Sequence, residues 1–216
     1  MIFSTGGHTK KEGNPVLESL DTTEYVSLFE ETTNGPTLPE HIWGHCFVQL
    51  NENEFMIAGG VSTESYATAK SWIFDRLNSK WTPGPELSAR RYLHQCSTFM
   101  SDAHEGRMVV VAAGGYTFED GMVATAEIYD HNDPTKGWQA TSDMPAELAE
   151  FSMITSPSGK GVIASGGISG SDRQTGIHEM TCTESGCKWT TLQQKLEFER
   201  MNHVSMLIPD EMTTCN

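Results

Sequence analysis

Apolar residues come along this chain in short runs, and four of those runs end at a pair of glycines. Ile2-Phe3 leads to Gly6-Gly7, Phe55-Met56-Ile57-Ala58 to Gly59-Gly60, Met108 to Ala113 to Gly114-Gly115, and Val162-Ile163-Ala164 to Gly166-Gly167. Runs this short, bounded by glycine, predict buried strands rather than helices. No stretch of about ten residues or more carries apolar positions at helical spacing. The doublets fall at 6, 59, 114 and 166, so the interval between them stays between 52 and 55 residues. A fixed interval of that size marks an internal repeat.

More of the unit recurs around each doublet. An aromatic strand ending in aspartate follows the second and third, as Trp72-Ile73-Phe74-Asp75 and Glu127-Ile128-Tyr129-Asp130, each Asp lying 16 residues after the first glycine. A polar turn and a tryptophan come next: Trp81, Trp138 and, in the fourth unit, Trp189. The first unit keeps Leu20-Asp21 at the right distance but has no tryptophan after it. A Pro-bearing loop then leads to a histidine that opens the next strand. Arg91-Tyr92-Leu93-His94 and Arg200-Met201-Asn202-His203 share an Arg-x-x-His spacing, and His45 holds the same place. Counting back 14 residues from the doublet, as for His45, gives that place to Ser152 in the fourth unit.

An apolar strand, a glycine doublet, aromatic-Asp, a polar turn, Trp and Arg-x-x-His together resemble the Kelch repeat, and the resemblance covers essentially the whole chain. It implies an all-β fold, a β-propeller of four-stranded antiparallel blades stacked around a channel. The approximate units are 1–44, 45–93, 94–151 and 152–202, with 203–216 as a terminal innermost strand. In Kelch-like propellers such a strand completes the first blade. The chain then reads either as a closed four-bladed ring or as part of a larger ring whose earlier blades precede Met1. Within a blade, the doublets serve close backbone approach and positive φ. The tryptophans supply area for blade-to-blade packing, and the aspartates accept N–H bonds in their turns. The histidines are expected to bond backbone between blades.

Charge narrows the partners. With 14 basic and 29 acidic residues the formal net charge is −15, a surface that repels phosphate backbones and anionic lipid. No apolar run approaches the ~20 residues of a membrane-spanning helix, and the N-terminus lacks the pattern of a signal peptide. Nucleic acid and membrane insertion are thereby disfavoured, which leaves a protein partner of unspecified identity.

Five cysteines bear on compartment: Cys46, Cys96, Cys182, Cys187 and Cys215. Cys182 and Cys187 flank an expected hairpin turn and are candidates for a disulfide, the alternative being two reduced thiols. A disulfide there leans towards a secreted protein, with a cytoplasmic one as the alternative. Cys46 and Cys96 follow the histidines of consecutive units one position out of register, and a one-residue offset turns side chains to opposite sheet faces. Two unpaired thiols are therefore the favoured expectation and a bond between the sheets the alternative, with Cys215 left over. No C-x-x-C or His-x-x-x-His spacing suggests zinc. His45, His94 and His203 recur as a repeat signature rather than as a metal set, and no cofactor is implied.

No nucleophile elbow, phosphate loop or metalloprotease motif occurs, and carboxylate pairs such as Glu30-Glu31 and Glu119-Asp120 fall in expected turns. The reading is a non-catalytic protein-interaction scaffold that binds through loops on one propeller face. The loops on that face are 8–17, 61–70, 116–125 and 168–176, together with 33–42, 83–91, 140–149 and 191–200. The residue types enriched in hot spots there are Tyr66, Arg90, Arg91, Tyr116 and Phe118. Two alternatives stand beside it: the substrate-recognition part of an intracellular ubiquitin-ligase adaptor, and a metal-dependent oxidase on a Kelch-like propeller.

Overall fold

Four antiparallel sheets succeed one another along the chain, each a simple meander. The computed structural model describes residues 2–10, 17–26, 31–63 and 66–208. Cys215, Glu30 and part of the 8–17 loop lie outside the described residues. The first sheet joins Ile2–Thr5, Thr23–Val26 and Thr33–Asn34. The second runs from Cys46–Gln49 through Glu54–Ala58 and Ser71–Asp75 to Lys80–Pro83. The third holds Gln95–Ser101, Arg107–Ala113, Ala126–Tyr129 and Trp138–Ala140. The fourth holds Ser152–Thr155, Gly161–Ser165, Ile177–Thr183 and Gly186–Thr191. Among the described residues the only helical pieces are two short 3-10 turns, Asp102–His104 and Pro134–Lys136. His203 to Ile208, expected as an innermost strand, joins no ladder.

The second strands of the second and third sheets are apolar on both faces because both faces are covered; in the second sheet, Met56 and Ala58 pack towards the third and Ile57 towards the first. In Arg107–Ala113, Val109, Val111 and Ala113 pack towards the fourth sheet with Phe151, Met153 and Val162. Val110 and Ala112 pack towards the second with Val48, Met56 and Ala58. Period-two alternation thus divides one strand between two cores, each buried aliphatic side chain being worth about 1.5–3 kcal/mol. The tryptophans close the outer part of the same seams. Trp81, Trp138 and Trp189 donate their indole N–H to the carbonyls of Pro36, Pro85 and Ser142, at 3.2, 3.2 and 3.1 Å. Each acceptor lies in the loop that enters the tryptophan's own sheet. Asp75 and Asp130 tie the preceding turns, accepting the backbone N–H of Leu77 and of Asn132, both at 2.9 Å.

Face-to-face packing also joins Cys46 to Cys96, which are bonded as a disulfide with Cα atoms 5.5 Å apart. The expectation that they stay unpaired is corrected, and the reason is geometric. Neighbouring sheets meet through opposite faces, so side chains that point at each other across the seam must differ by one position in the repeat. The offset that separates residues within one sheet is the offset that brings them together between two. Cys182 and Cys187 face each other across their hairpin, Cα atoms 4.0 Å apart, and are also disulfide-bonded.

The glycine doublets join each sheet to the next. The N–H of the second glycine donates to a carbonyl near the end of its own unit, on the segment that leads out of the sheet: Gly7 to Ile42, Gly60 to Arg91, Gly115 to Leu148 and Gly167 to Arg200, at 2.7–2.8 Å. The first glycine has its Cα against that same carbonyl. A Cβ on Gly59 would lie 2.6 Å from the Arg91 oxygen, and one on Gly114 2.4 Å from the Leu148 oxygen. Three residues past each acceptor comes a ring whose edge covers the first glycine: His45 over Gly6, His94 over Gly59, Phe151 over Gly114 and His203 over Gly166. The place assigned to Ser152 therefore belongs to Phe151, and packing is what the position requires. Both ring nitrogens of His94, and Nδ1 of His45 and His203, have no hydrogen-bond partner among the described residues, while Nε2 of His203 lies 3.5 Å from the Ser165 hydroxyl. Each ring is preceded by a left-handed residue, Gly44, Leu93, Glu150 and Asn202, with φ between 52° and 63°. Their backbones link sheet to sheet, Leu93 N–H to Gly44 O, Glu150 N–H to Leu93 O and Asn202 N–H to Glu150 O, at 2.8–3.0 Å.

Gly59→Ala should lose about 3 kcal/mol in urea unfolding, combining a backbone clash with left-handed strain. Gly121→Ala, with φ 75° but open space around its Cβ, should lose only about 1 kcal/mol. Burial holds the His45 imidazole down at about 4, whereas the unfolded chain takes up its proton near the ordinary value of about 6.5. The unfolded state binds more protons between those values, so stability is lost as pH falls from about 6.5 towards 4. His45→Phe, copying Phe151, should flatten that part of the Tm-against-pH curve.

Candidate partner-binding face

Beyond each doublet, the inner hairpin of a sheet continues into a second, shorter ladder. Ile42-Trp43 pairs with Val61-Ser62 above the second sheet. Arg91-Tyr92 pairs with Tyr116-Thr117 above the third, and Gly121-Met122 adds to it. Above the fourth, the continuation is a bridge between Ala149 and Ile168 and a small hairpin of Ile168-Ser169 with Asp172-Arg173. These ladders stiffen the loops that connect strands on this face.

Aromatic side chains stand on the ladders of the second and third sheets. Tyr92 stacks on Tyr116, ring centroids 5.3 Å apart, and meets Tyr66 edge-on at 5.8 Å and Trp43 at 6.4 Å. Tyr66 also meets Phe118 at 6.3 Å. Tyr66 is 67% exposed and Phe118 69% exposed, while Tyr92 and Tyr116 are half-buried beneath them. The platform straddles the seam: Trp43 and Tyr66 come from the second sheet's loops, Tyr92, Tyr116 and Phe118 from the third's. Burial, and then a hydrogen bond with Tyr66, push the Tyr92 phenol up to about 12, so it stays protonated at any physiological pH. Exposed Glu119 and Asp120 follow Phe118 on the same loop.

The sequence-derived residues divide here. Tyr66, Tyr116 and Phe118 come together, with Tyr92 as the hub. Tyr92 was not among them, and neither was Trp43. Both stand two places before the signature histidine, a position read as filler inside the repeat motif. In the fourth sheet that position is Ala149, and the last one is Met201, so the aromatic platform does not extend there. Arg90 is exposed. Arg91 is corrected: its side chain is 1% exposed and lies inside the third sheet. The guanidinium pairs with Glu127 at 3.0 Å. It also donates to the carbonyls of Gly114 and Thr125 at 3.1 and 3.0 Å. Glu127 in turn accepts the Ser88 N–H at 2.8 Å. Arg91 thus anchors the entering loop to the sheet and offers nothing to a partner.

No family model matches the chain. Over 174 residues it is 26% identical to Alpha-scruin of Limulus polyphemus, covering 78% of this chain and 18% of that protein. Over 142 residues it is 28% identical to Beta-scruin of the same organism, covering 63% and 14%. The solved structure of YjhT matches with a TM-score of 0.63 at 12% identity, over 91% of this chain and 66% of that one. The fold is a Kelch-type β-propeller. The chain spans less than a fifth of either scruin and about two-thirds of YjhT.

In propeller terms, the innermost strands line a cavity of about 390 Å³ whose walls include Val48, Gln49, Cys96, Thr98, Ile154 and Thr155. Thr155 Oγ1 donates to the Thr98 carbonyl across one seam at 2.7 Å. Burial, and then the charges of Arg91 and His45, hold the His94 imidazole well below its usual range, and its ring packs against Gly59 while that of His203 packs against Gly166. The three signature imidazoles therefore do not converge on one point.

Removing Arg91 while leaving Glu127 buried and unpaired should be costly. Arg91→Met is expected to destabilise by about 3–5 kcal/mol, and Arg91→Met with Glu127→Leu to recover most of that. Chemical denaturation of the three proteins checks the order.

Proposed function

We propose that this chain is a non-catalytic protein-interaction scaffold that engages a protein partner through the aromatic platform of Trp43, Tyr66, Tyr92, Tyr116 and Phe118. The exposure of Tyr66 and Phe118 carries the reading. Two large rings standing side by side in water are at odds with solubility alone, since exposed contiguous apolar patches mark interaction sites. Trp43, Tyr92 and Tyr116 beneath them are fixed by short ladders, so binding would cost little ordering of the platform's base, and Tyr and other aromatics supply rigid contact area.

Chemistry narrows the partner. Glu119 and Asp120 rim the platform and the chain carries a net charge of −15, which favours a partner surface with apolar side chains flanked by basic ones. Arg90 would sit on the rim of the same contact. The Kelch-type fold supports the reading in general terms, because propellers present loops on a rigid body and loops on rigid bodies carry binding. Among the described residues no helix is long and apolar enough to cross a membrane.

Tyr66→Ala with Phe118→Ala should weaken capture of protein partners at least about tenfold, the loss expected when two hot-spot rings are removed. The melting temperature should stay within a few degrees, since both rings are exposed. Phe198, 65% exposed and far along the chain, serves as the control, and Phe198→Ala should leave capture intact. Equal capture by the double variant and the unaltered chain would mean that the platform is not the contact.

A further inference from the structure

Beneath the platform, at the seam between the second and third sheets, three donor groups meet in a buried pocket. Sγ of Cys46, Sγ of Cys96 and a ring nitrogen of His94 all lie within 4.8 Å of one another. All three residues are buried, His94 to 1% exposure. Both His94 ring nitrogens lack a hydrogen-bond partner among the described residues. A polar ring sealed in a core without partners is rare, because desolvation is then left uncompensated. Packing against Gly59 does not account for it, since Phe151 does the same against Gly114 without any nitrogen.

We propose that reduction of the Cys46–Cys96 bond converts this pocket into a site for a divalent thiophilic cation of the zinc class, held by two thiolates and the His94 imidazole. The charges favour a divalent ion: two thiolates neutralise it, so no net charge is left in a low-dielectric seam. Sulfur and imidazole donors suit zinc. Three protein ligands leave one tetrahedral position, and Cys96 borders the central cavity, from which water can fill it. In the oxidised form the sulfurs are bonded to each other and neither is a thiolate, so the pocket is a disulfide or a metal site but never both.

A dithiol or two monothiol reductants supply two electrons and two protons; the S–S bond breaks, Cys46 and Cys96 become thiols, and the reductant becomes a disulfide. Cation binding then expels the two thiol protons to solvent as the two metal–sulfur bonds form, while neutral His94 donates a lone pair. An oxidant of the disulfide class reverses the sequence and releases the ion. The N–H···O and packing contacts at the doublets hold the two sheets in place during the change.

The experiment uses the full chain, reduced with a phosphine under argon, freed of reductant, and titrated with Zn(II) and with Co(II). One cation per chain should bind, Co(II) should give a thiolate-to-metal charge-transfer band, and zinc should raise the Tm of the reduced protein. Bound zinc should slow alkylation of Cys46 and Cys96 at least tenfold, mapped by mass spectrometry. Cys182→Ser with Cys187→Ser should keep all of this, and the unreduced chain should bind nothing. His94→Phe, which copies the ring found at Phe151, should keep the fold and both thiols but lose tight binding. The proposal is overturned if the reduced, folded chain takes up no cation, if His94→Phe binds as tightly as the unaltered chain, if zinc fails to shield the two cysteines, or if reduction abolishes the sheet signal in circular dichroism.

Discussion

One backbone contact organises this molecule: the carbonyl three residues before each signature ring, seated against the glycine doublet of the preceding sheet. That oxygen accepts the N–H of the second glycine and occupies the space a Cβ on the first would need. The hydrogen bond and the missing side chain are two halves of one requirement, so both positions of the doublet are constrained by a neighbour about thirty to forty residues further on. The ring edge over the first glycine, the left-handed residue before the ring and the indole bond on the outside all depend on the sheets being held at that separation. Each seam is stabilised locally, as in other repeat architectures, where a unit contacts chiefly its neighbours.

Much of this was legible in the residues. Strand positions, doublets, aspartate turns and tryptophans have short-range signatures, because glycine geometry and period-two burial act on a few consecutive residues. The parts that were misread depend on relations between sheets. Cys46 and Cys96 look mismatched when repeats are laid over one another, and only face-to-face stacking shows why opposite parity makes them neighbours. Phe151 was passed over for Ser152 because a count from the doublet assumes a fixed hairpin length, whereas the register pairs Ser152 with Ser165 and so sets Phe151 opposite Gly166. Arg91 reads as a surface hot spot in the sequence because its burial comes from Glu127, Gly114 and Thr125, all more than twenty residues away.

The candidate site was half legible for the same reason. Tyr66, Tyr116 and Phe118 stand out as loop aromatics. Tyr92 and Trp43 sit inside the repeat motif, where an aromatic is indistinguishable from a packing residue until its ladder is known. The repeat therefore conceals as well as reveals: a residue at a signature position is read as structural, although only its backbone is committed. His94 is the sharpest instance, sharing the packing role of Phe151 while carrying two nitrogens that packing does not use.

The Cys46–Cys96 bond lies in the seam that the aromatic platform straddles. Force applied to a ligand seated across Tyr66 and Phe118 would try to slide the second sheet past the third, which hydrogen bonds, apolar contact and the His131–Glu54 pair at 2.9 Å resist elsewhere along that boundary. Here a covalent strut bears the load. The molecule is thereby built to withstand tension at one seam, the seam where a partner would pull.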